Sequence, residues 1–582
     1  MNFTMKPLGS TIKKSFILDM KVYSKLEHHQ KEGLKWLWRI HCCGKGGLLA
    51  DNMGLGKTFQ ILAFLAGLIQ SNLMRRVIIA VPTMVLDQWV TEMEEVGLKN
   101  YIYIFKDIKT RNMELMKVCQ TGAKSSLKAY RNLERLECKK RILITGTPAP
   151  NSLKEFRAIL NFCCPGMFDC MNEFHDSYLA PLVEGNYKDS SLDQLNESSK
   201  ASKKLQHLIS PCFLRRLKSV LSSVETPEKN RLTLPEKAEF VLWLKLTPYQ
   251  EKLYRTFLCG DSIDKSNHGE TIVASTIDII LRLMERFKEE KHKVLLFSHT
   301  CEMLETVEEA LLKKGYFFDR IDGSLNQKVR AKRVQSFQKA DGAPILLISS
   351  FCAGTGLDLP AASRAIIIEP FWNPSVDDQC ADRIYRLSQK KNCIIYRLIC
   401  SETIEEIVYR RQIFKLGVFK TATENKIFKR YITRKLRNEL LAIPPNGFGS
   451  SRTLQQLEKE STSTLSQAMG EEMNFLKKGD LIGVSIHTEL FQGAPIRKTN
   501  IAAASFAPSE RKRDLDYAEE LRKAAHRRKV EFVENQIKKY NSYYKTSCNT
   551  LPDKGANFLR KIDDYTKELA ELRSSTDPKD NT

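Results

Sequence analysis

Short runs of Val, Ile and Leu, divided by stretches of helical spacing, recur twice along this chain, and no other feature restricts its fold so tightly. The first series holds GGLLA (46–50), VIIAVP (77–82) and RILITGTP (141–148). Its helical segments are 26–40, with Leu26, Leu34, Leu37 and Trp38 on one stripe, and the apolar TFQILAFLAGLIQ after residue 57. The second series holds KVLLFSH (293–299), APILLIS (343–349), RAIIIEP (364–370) and CIIYRLI (393–399), with helical stretches at 301–315 and 329–340. Strands that are apolar on both faces belong to parallel sheets covered by helices on both sides. Two such series, with an irregular stretch at 183–230 between them, predict an α/β chain of two lobes.

Between GGLLA and the apolar helix lies DNMGLGKT (51–58), a strand–loop–helix setting that suits a phosphate-cradling loop. Gly54 and Gly56 let backbone N–H groups approach phosphate oxygens, Lys57 adds a point charge, and the Thr58 hydroxyl suits Mg²⁺. Asp51 stands where the strict loop pattern has glycine. In the second series QCADRIYRLSQ (379–389) sets Gln379, Asp382, Arg383 and Arg386 on one face if the segment is helical. Two guanidinium groups on such a face can stabilise the charge that develops on a transferring γ-phosphoryl group.

Lys and Arg outnumber Asp and Glu by 92 to 69, a net charge of +23 that points to a polyanionic partner, duplex nucleic acid first. The 15 cysteines form no Cys-x-x-Cys pair, and the chain opens without an apolar leader, so reduced thiols and an intracellular protein are expected. No apolar run reaches the ~20 residues of a membrane span, so no membrane partner is expected.

These motifs, in this order, resemble the Swi/Snf-type double-stranded-DNA translocases of helicase superfamily two, over residues 26–415. LEHHQKEGLKWL resembles the adenine-sensing motif, with Gln30 in the base-reading position and His29 where tyrosine is usual. DNMGLGKT carries Asn52 in place of a usual acidic residue; VPTMVLDQW (81–89), TGTPAPN (145–151) and PCFLRRLK (211–218) are similar to the first DNA-strand motif, the TGTPxQN motif and the inter-lobe motif. RIDGS (320–324), AGTGLDL (353–359) and FWNP (371–374) match in the second lobe. TIEEIVYRRQIFK (403–415), FKRYITRKLRNELL (428–441) and FLKKGDLIGVSIHTELF (475–491) resemble the excision-repair, Cockayne-syndrome-B-like subgroup that includes the Polo-kinase-interacting checkpoint helicase. Gly479 and Gly483 in the last of these could equally be ordinary turn residues.

The resemblance implies two RecA-like lobes, 1–225 and 226–415, followed by a mainly helical, basic extension at 416–582. It implies ATP and Mg²⁺ as cofactors and duplex DNA, with chromatin, as partner, in the nucleus or on chromosomes. Thr145, Gly146 and Thr147, and Ala353, Gly354, Thr355 and Gly356, would then lie near the DNA strand or the lobe interface. One departure matters. The Asp-Glu-x-His strand expected between Trp89 and Thr145 is missing, and YIYIFKD (101–107) does not replace its acidic pair. The first lobe is therefore read as truncated between 105 and 125, with a hole beside the phosphate loop. The chain is either a translocase or a catalytically impaired form that binds DNA or partners. Residues 511–540 read as one charged helix, a solvated or coiled-coil element or a DNA- or protein-binding brace.

Overall fold

A computed structural model describes residues 2–101, 140–218, 235–259, 275–458 and 467–495, with short breaks, together with Cys138 and scattered residues of 534–570. The breaks fall at 9–11, 75, 83–84, 149–151, 169, 354–356, 387–388, 425, 439–446, 480 and 492–493. The chain divides into two compact units, Met1–Ile496 and Arg497–Thr582. In the second, the described positions between Glu534 and Ala570 are helical. The charged 511–540 stretch lies almost wholly outside the described residues.

The first unit opens with an antiparallel hairpin of β1 (Asn2–Met5) and β2 (Phe16–Asp19). Its first lobe has a parallel sheet in which β3 (Gly47–Leu49) lies between β4 (Ile142–Ile144) and β5 (Phe213–Leu214). Alternate residues of β3 point to opposite faces: Leu48 joins the core with Phe156 and Leu205, and Leu49 joins the core with Leu62 and Phe64 of the helix Lys57–Gln70.

Two expectations change here. Both places beside the phosphate-loop strand are taken, so a strand missing from this lobe belongs further out than the position beside the loop. The run 77–82 is not a strand; Val77 is 44% exposed and Ile78–Val81 are half-buried. A central parallel strand needs ladder partners, and among the described strands β4 pairs only with β3.

Four strands of the second lobe fall on the four apolar runs read from the sequence, and Lys237–Leu244 and Phe318–Ile321 are strands that the sequence reading missed. β6 (Lys237–Leu244), β7 (Val294–Ser298), β8 (Phe318–Ile321), β9 (Ile345–Ser349), β10 (Arg364–Ile367) and β11 (Cys393–Cys400) form one parallel sheet. With β13 (Gly483–Ile486) at one edge, the order across it is β13-β6-β11-β10-β7-β9-β8. Leu296, Leu347 and Ile366 feed one core; Leu295, Leu346 and Ala365 feed the other. Burial on both faces is what uniformly apolar strands imply.

Strand structure does not stop at residue 416. β12 (Lys426–Ile427) pairs with β14 (Ala494–Pro495), and β13 (Gly483–Ile486) adds to β6 antiparallel, with Trp243 Nε1 donating to Ser485 Oγ at 2.9 Å. A four-residue edge strand carries too little periodicity to be read from sequence. Gly483 is more than a turn residue, since a Cβ there would lie 2.5 Å from Leu454 Cδ2. The helix Ile404–Thr423 also crosses the expected boundary at 415 and packs on the first lobe, where Phe419 meets Phe156 edge-on.

Candidate nucleotide cleft

The phosphate loop leaves β3 at Ala50 and enters the helix Lys57–Gln70. Gly54 and Gly56 have φ of +81° and +66°, the left-handed region that side chains resist. At Gly56 a Cβ would also lie 2.3 Å from Gln30 Nε2. Lys57 Nζ donates to the Asp51 and Asn52 carbonyls at 2.8 and 2.9 Å. Burial, with Lys218 and Arg386 adding to it, brings its ammonium down to about 8. Thr58 is the second residue of the helix and lines the same cleft.

Asp51 explains why glycine is absent from its position. Its fully buried carboxylate pairs with Arg216, accepting from the backbone N at 3.0 Å and from Nε at 2.9 Å. Arg216 also donates to the His29 carbonyl and, at 3.0 Å, to Gln60 Oε1. The inter-lobe motif therefore ties the loop to both flanking helices.

Gln30 sits behind the loop. Its Nε2 donates to the Leu55 carbonyl at 3.2 Å and its Oε1 accepts from Glu27 N at 2.9 Å, closing a capping box on the helix His28–Cys42. It braces the loop and is not among the residues that line the cleft.

The second lobe supplies the other wall. The helix Pro374–Ala381 stops at Asp382, so Arg383 and Arg386 lie in the turn beyond it and share no helical face. The turn nonetheless gathers them: Arg383 Nη1 and Arg386 Nη2 both donate to the Leu357 carbonyl at 2.9 Å. Arg383 Nη2 is 3.5 Å from Met53 Sδ of the phosphate loop. A Cβ on Gly54 would touch Arg386 Cγ at 3.4 Å. Arg383 is buried, and burial lowers it to about 10.

Thr145, Gly146 and Thr147 follow β4 into this junction. Thr145 N donates to the Leu49 carbonyl at 3.1 Å, Gly146 backs onto Met53, and Thr147 Oγ1 accepts from Gln379 Nε2 at 3.4 Å. Ala353 ends the short helix Ser350–Ala353; Gly354, Thr355 and Gly356 lie outside the described residues.

Gly54, Lys57 and Thr58, the 145–147 segment, Gln379, Arg383 and Arg386 line a cavity of about 830 Å³ that also reaches the apolar wall of Phe64, Ile79 and Ile142. The size is within the usual range for ligand clefts. Among the described residues, Lys57, Arg383 and Arg386 stand in this lining with Lys45, Lys140 and Arg141, and no carboxylate does; behind it Asp51 pairs with Arg216, and Asp358 with Arg386 at 3.1 Å. A cation surplus of this kind fits a polyphosphate. For Mg²⁺ the cleft offers the Thr58 hydroxyl; among the described residues no cluster of three His, Cys, Asp or Glu could hold a metal. The sequence reading named Asp382 only as a neighbour of the arginines on one face and missed Lys218 and Lys237; for Lys218 the signal was the cation spacing in LRRLK (214–218). Every described cysteine is a free thiol, and no described helix is long and apolar enough to cross a membrane.

The SNF2-related domain model matches residues 29–120 and 119–292, and the helicase conserved C-terminal domain model matches residues 275–388. The SNF2 domain-containing protein ENL1 of Oryza sativa subsp. japonica is 32% identical over 721 residues, 99% of this chain and 72% of that protein. Protein CHROMATIN REMODELING 24 of Arabidopsis thaliana is 31% identical over 703 residues, 96% of this chain and 64% of that one. The DNA excision repair protein ERCC-6-like of Mus musculus is 28% identical over 600 residues, 82% of this chain and 48% of its own length. This chain thus spans about half of that mouse relative. Two matched lobes, in order around one cleft, make the chain a member of the SNF2 family of helicase superfamily two.

Proposed function

We propose that the cleft binds ATP, that the family machinery it represents moves along double-stranded DNA, and that this chain itself hydrolyses ATP little or not at all. The observation that carries the nucleotide reading is the meeting of the two lobes: Arg383 and Arg386 touch the loop that carries Lys57. Lys57, Thr58 and the N-terminus of their helix would hold the phosphates, and Arg386 would reach the outermost one. Mg²⁺, when bound, supplies charge neutralisation between the outer phosphates.

Weak hydrolysis follows from the missing Asp-Glu-x-His strand. The SNF2-related model is matched in two pieces that meet at residues 119–120. The alignment with the rice relative spans 721 positions against 582 residues here, so at least 139 of them fall opposite gaps in this chain. Without carboxylates to hold the metal and polarise water, the barrier rises by several kcal/mol, about 10³-fold or more in rate. A steady-state ATPase assay with duplex DNA tests this: turnover near background is expected, and roughly 1–10 s⁻¹ would refute it.

Duplex grip is expected through phosphate contacts of a chain with net charge +23, insensitive to sequence and weakened by salt. We infer a role in chromatin remodelling or DNA repair, in the nucleus or on chromosomes; the names of the Arabidopsis and mouse relatives support this reading. The second reading, a silent DNA- or partner-binding form, is favoured by the same break at 119–120.

A further inference from the structure

The segment that leaves β5 carries three cations in four residues, and each holds a different element. Arg215 Nη1 pairs with Glu424 Oε1 at 2.9 Å, just beyond the helix Ile404–Thr423. Arg216 pairs with Asp51 of the phosphate loop. Lys218 crosses to the arginine turn. Its Nζ donates to the Tyr385 carbonyl at 2.5 Å, stands 3.5 Å from Asp382 Oδ1, and lies 4.8 Å above the Tyr385 ring. Lys237 of β6 reaches the same carboxylate at 3.6 Å. Asp382 immediately precedes Arg383, and Tyr385 immediately precedes Arg386.

The backbone is equally committed. Ala50 N donates to the Leu214 carbonyl at 2.7 Å, and Asn52 N to the Arg216 carbonyl at 3.0 Å. One short strap therefore runs beside the loop that carries Lys57 and ends on the turn that carries both arginines. Lys218 is 4% exposed; burial lowers its ammonium to about 8, and the Lys237 and Arg386 charges push the same way against Asp382. Burial alone would raise the Asp382 carboxyl, but Lys218 and Lys237 outweigh it and hold it below the usual range. The carbonyl, carboxylate and ring contacts of Lys218 thus all fall on the one turn.

We propose that Lys218 is a positioning residue for the γ-phosphate: it locks the Asp382–Arg386 turn to the phosphate loop, so that Arg386 faces the outer phosphate held by Lys57. This rests on the nucleotide reading of the cleft. Lys218 itself touches no phosphate.

The test is calorimetric titration of the full chain, with Mg²⁺, by ATPγS and by ADP. Arg386→Ala defines the loss of γ-phosphate reading. Lys218→Met should lower the ratio of ATPγS to ADP affinity about 10-fold, with ADP affinity unchanged within about 2-fold. Lys218→Arg should restore most of it. In the double variant Lys218→Met/Arg386→Ala the losses should not multiply, because both act through one guanidinium. Equal losses for both nucleotides, or multiplying losses, would show a merely structural lysine and overturn the proposal. If Lys218→Met fails to fold, Asp382→Asn is read in the same way, with the same two outcomes. A parent chain that binds neither nucleotide removes the nucleotide reading and this proposal together, whereas a parent that prefers ATPγS while Lys218→Met keeps that preference overturns this proposal alone.

Discussion

Asp51 occupies the place of a loop glycine because Arg216 needs a buried anion there. Removing one member of such a pair leaves a charge in the interior without a counter-ion. Asp51→Asn should therefore destabilise the first unit by ~3–5 kcal/mol, read as a shift of its denaturant midpoint. Gly56→Ala meets two obstacles, a positive φ and the Gln30 amide 2.3 Å from its Cβ. It should weaken ATPγS binding, measured by titration, and lower the melting temperature through ~1–2 kcal/mol of backbone strain. His487 gives a pH signature. It is fully buried, its Nδ1 meets the Tyr409 hydroxyl at 2.7 Å, and burial with the neighbouring Arg397 charge lowers it to about 3. A depressed histidine contributes stability that is complete above the unfolded value near 6.5 and is lost as pH falls towards 3. The stability gap between parent and His487→Gln should therefore close between pH 6.5 and 4, by up to ~1.4 kcal/mol per unit. A gap that stays constant would mean that His487 is protonated in the folded state.

Among the elements, the strands that sequence revealed were those buried on both faces. β7, β9, β10 and β11 are built on aliphatic runs, β11 with Tyr396 and the ion-paired Arg397 within it, and each lies inside the seven-stranded sheet. β13 was illegible because four residues at an edge carry little pattern. The run 77–82 failed the other way: its composition is that of a central strand, but a ladder depends on neighbours that composition does not supply. The candidate site divides similarly. Gly54, Gly56, Lys57 and the arginines were legible from spacing. The ion pairs Asp51–Arg216 and Lys218–Asp382 were not, since they join positions about 165 residues apart. Gln30 was assigned to a base through resemblance, whereas its amide is committed to the Leu55 carbonyl and Glu27 N. The edge strand also makes a boundary prediction. A chain ending at residue 496 should keep the cooperative melt of the first unit, whereas one ending at 478 loses β13, uncovers β6 and should aggregate or melt at lower temperature by light scattering and calorimetry.

At the scale of the molecule, one crevice receives its charge from both lobes, and the helix Ile404–Thr423 packs the second lobe onto the first. Lys57 without the arginines would bind a diphosphate as well as a triphosphate; the arginines without Lys57 would have no nucleotide to read. The most direct measurement is the affinity of the chain for ATPγS and for ADP before and after Arg386→Ala. Arg386→Ala should lower the affinity for ATPγS about 10-fold or more and that for ADP almost not at all. Equal change in both, or none in either, would mean that the second lobe does not face the triphosphate held by the first.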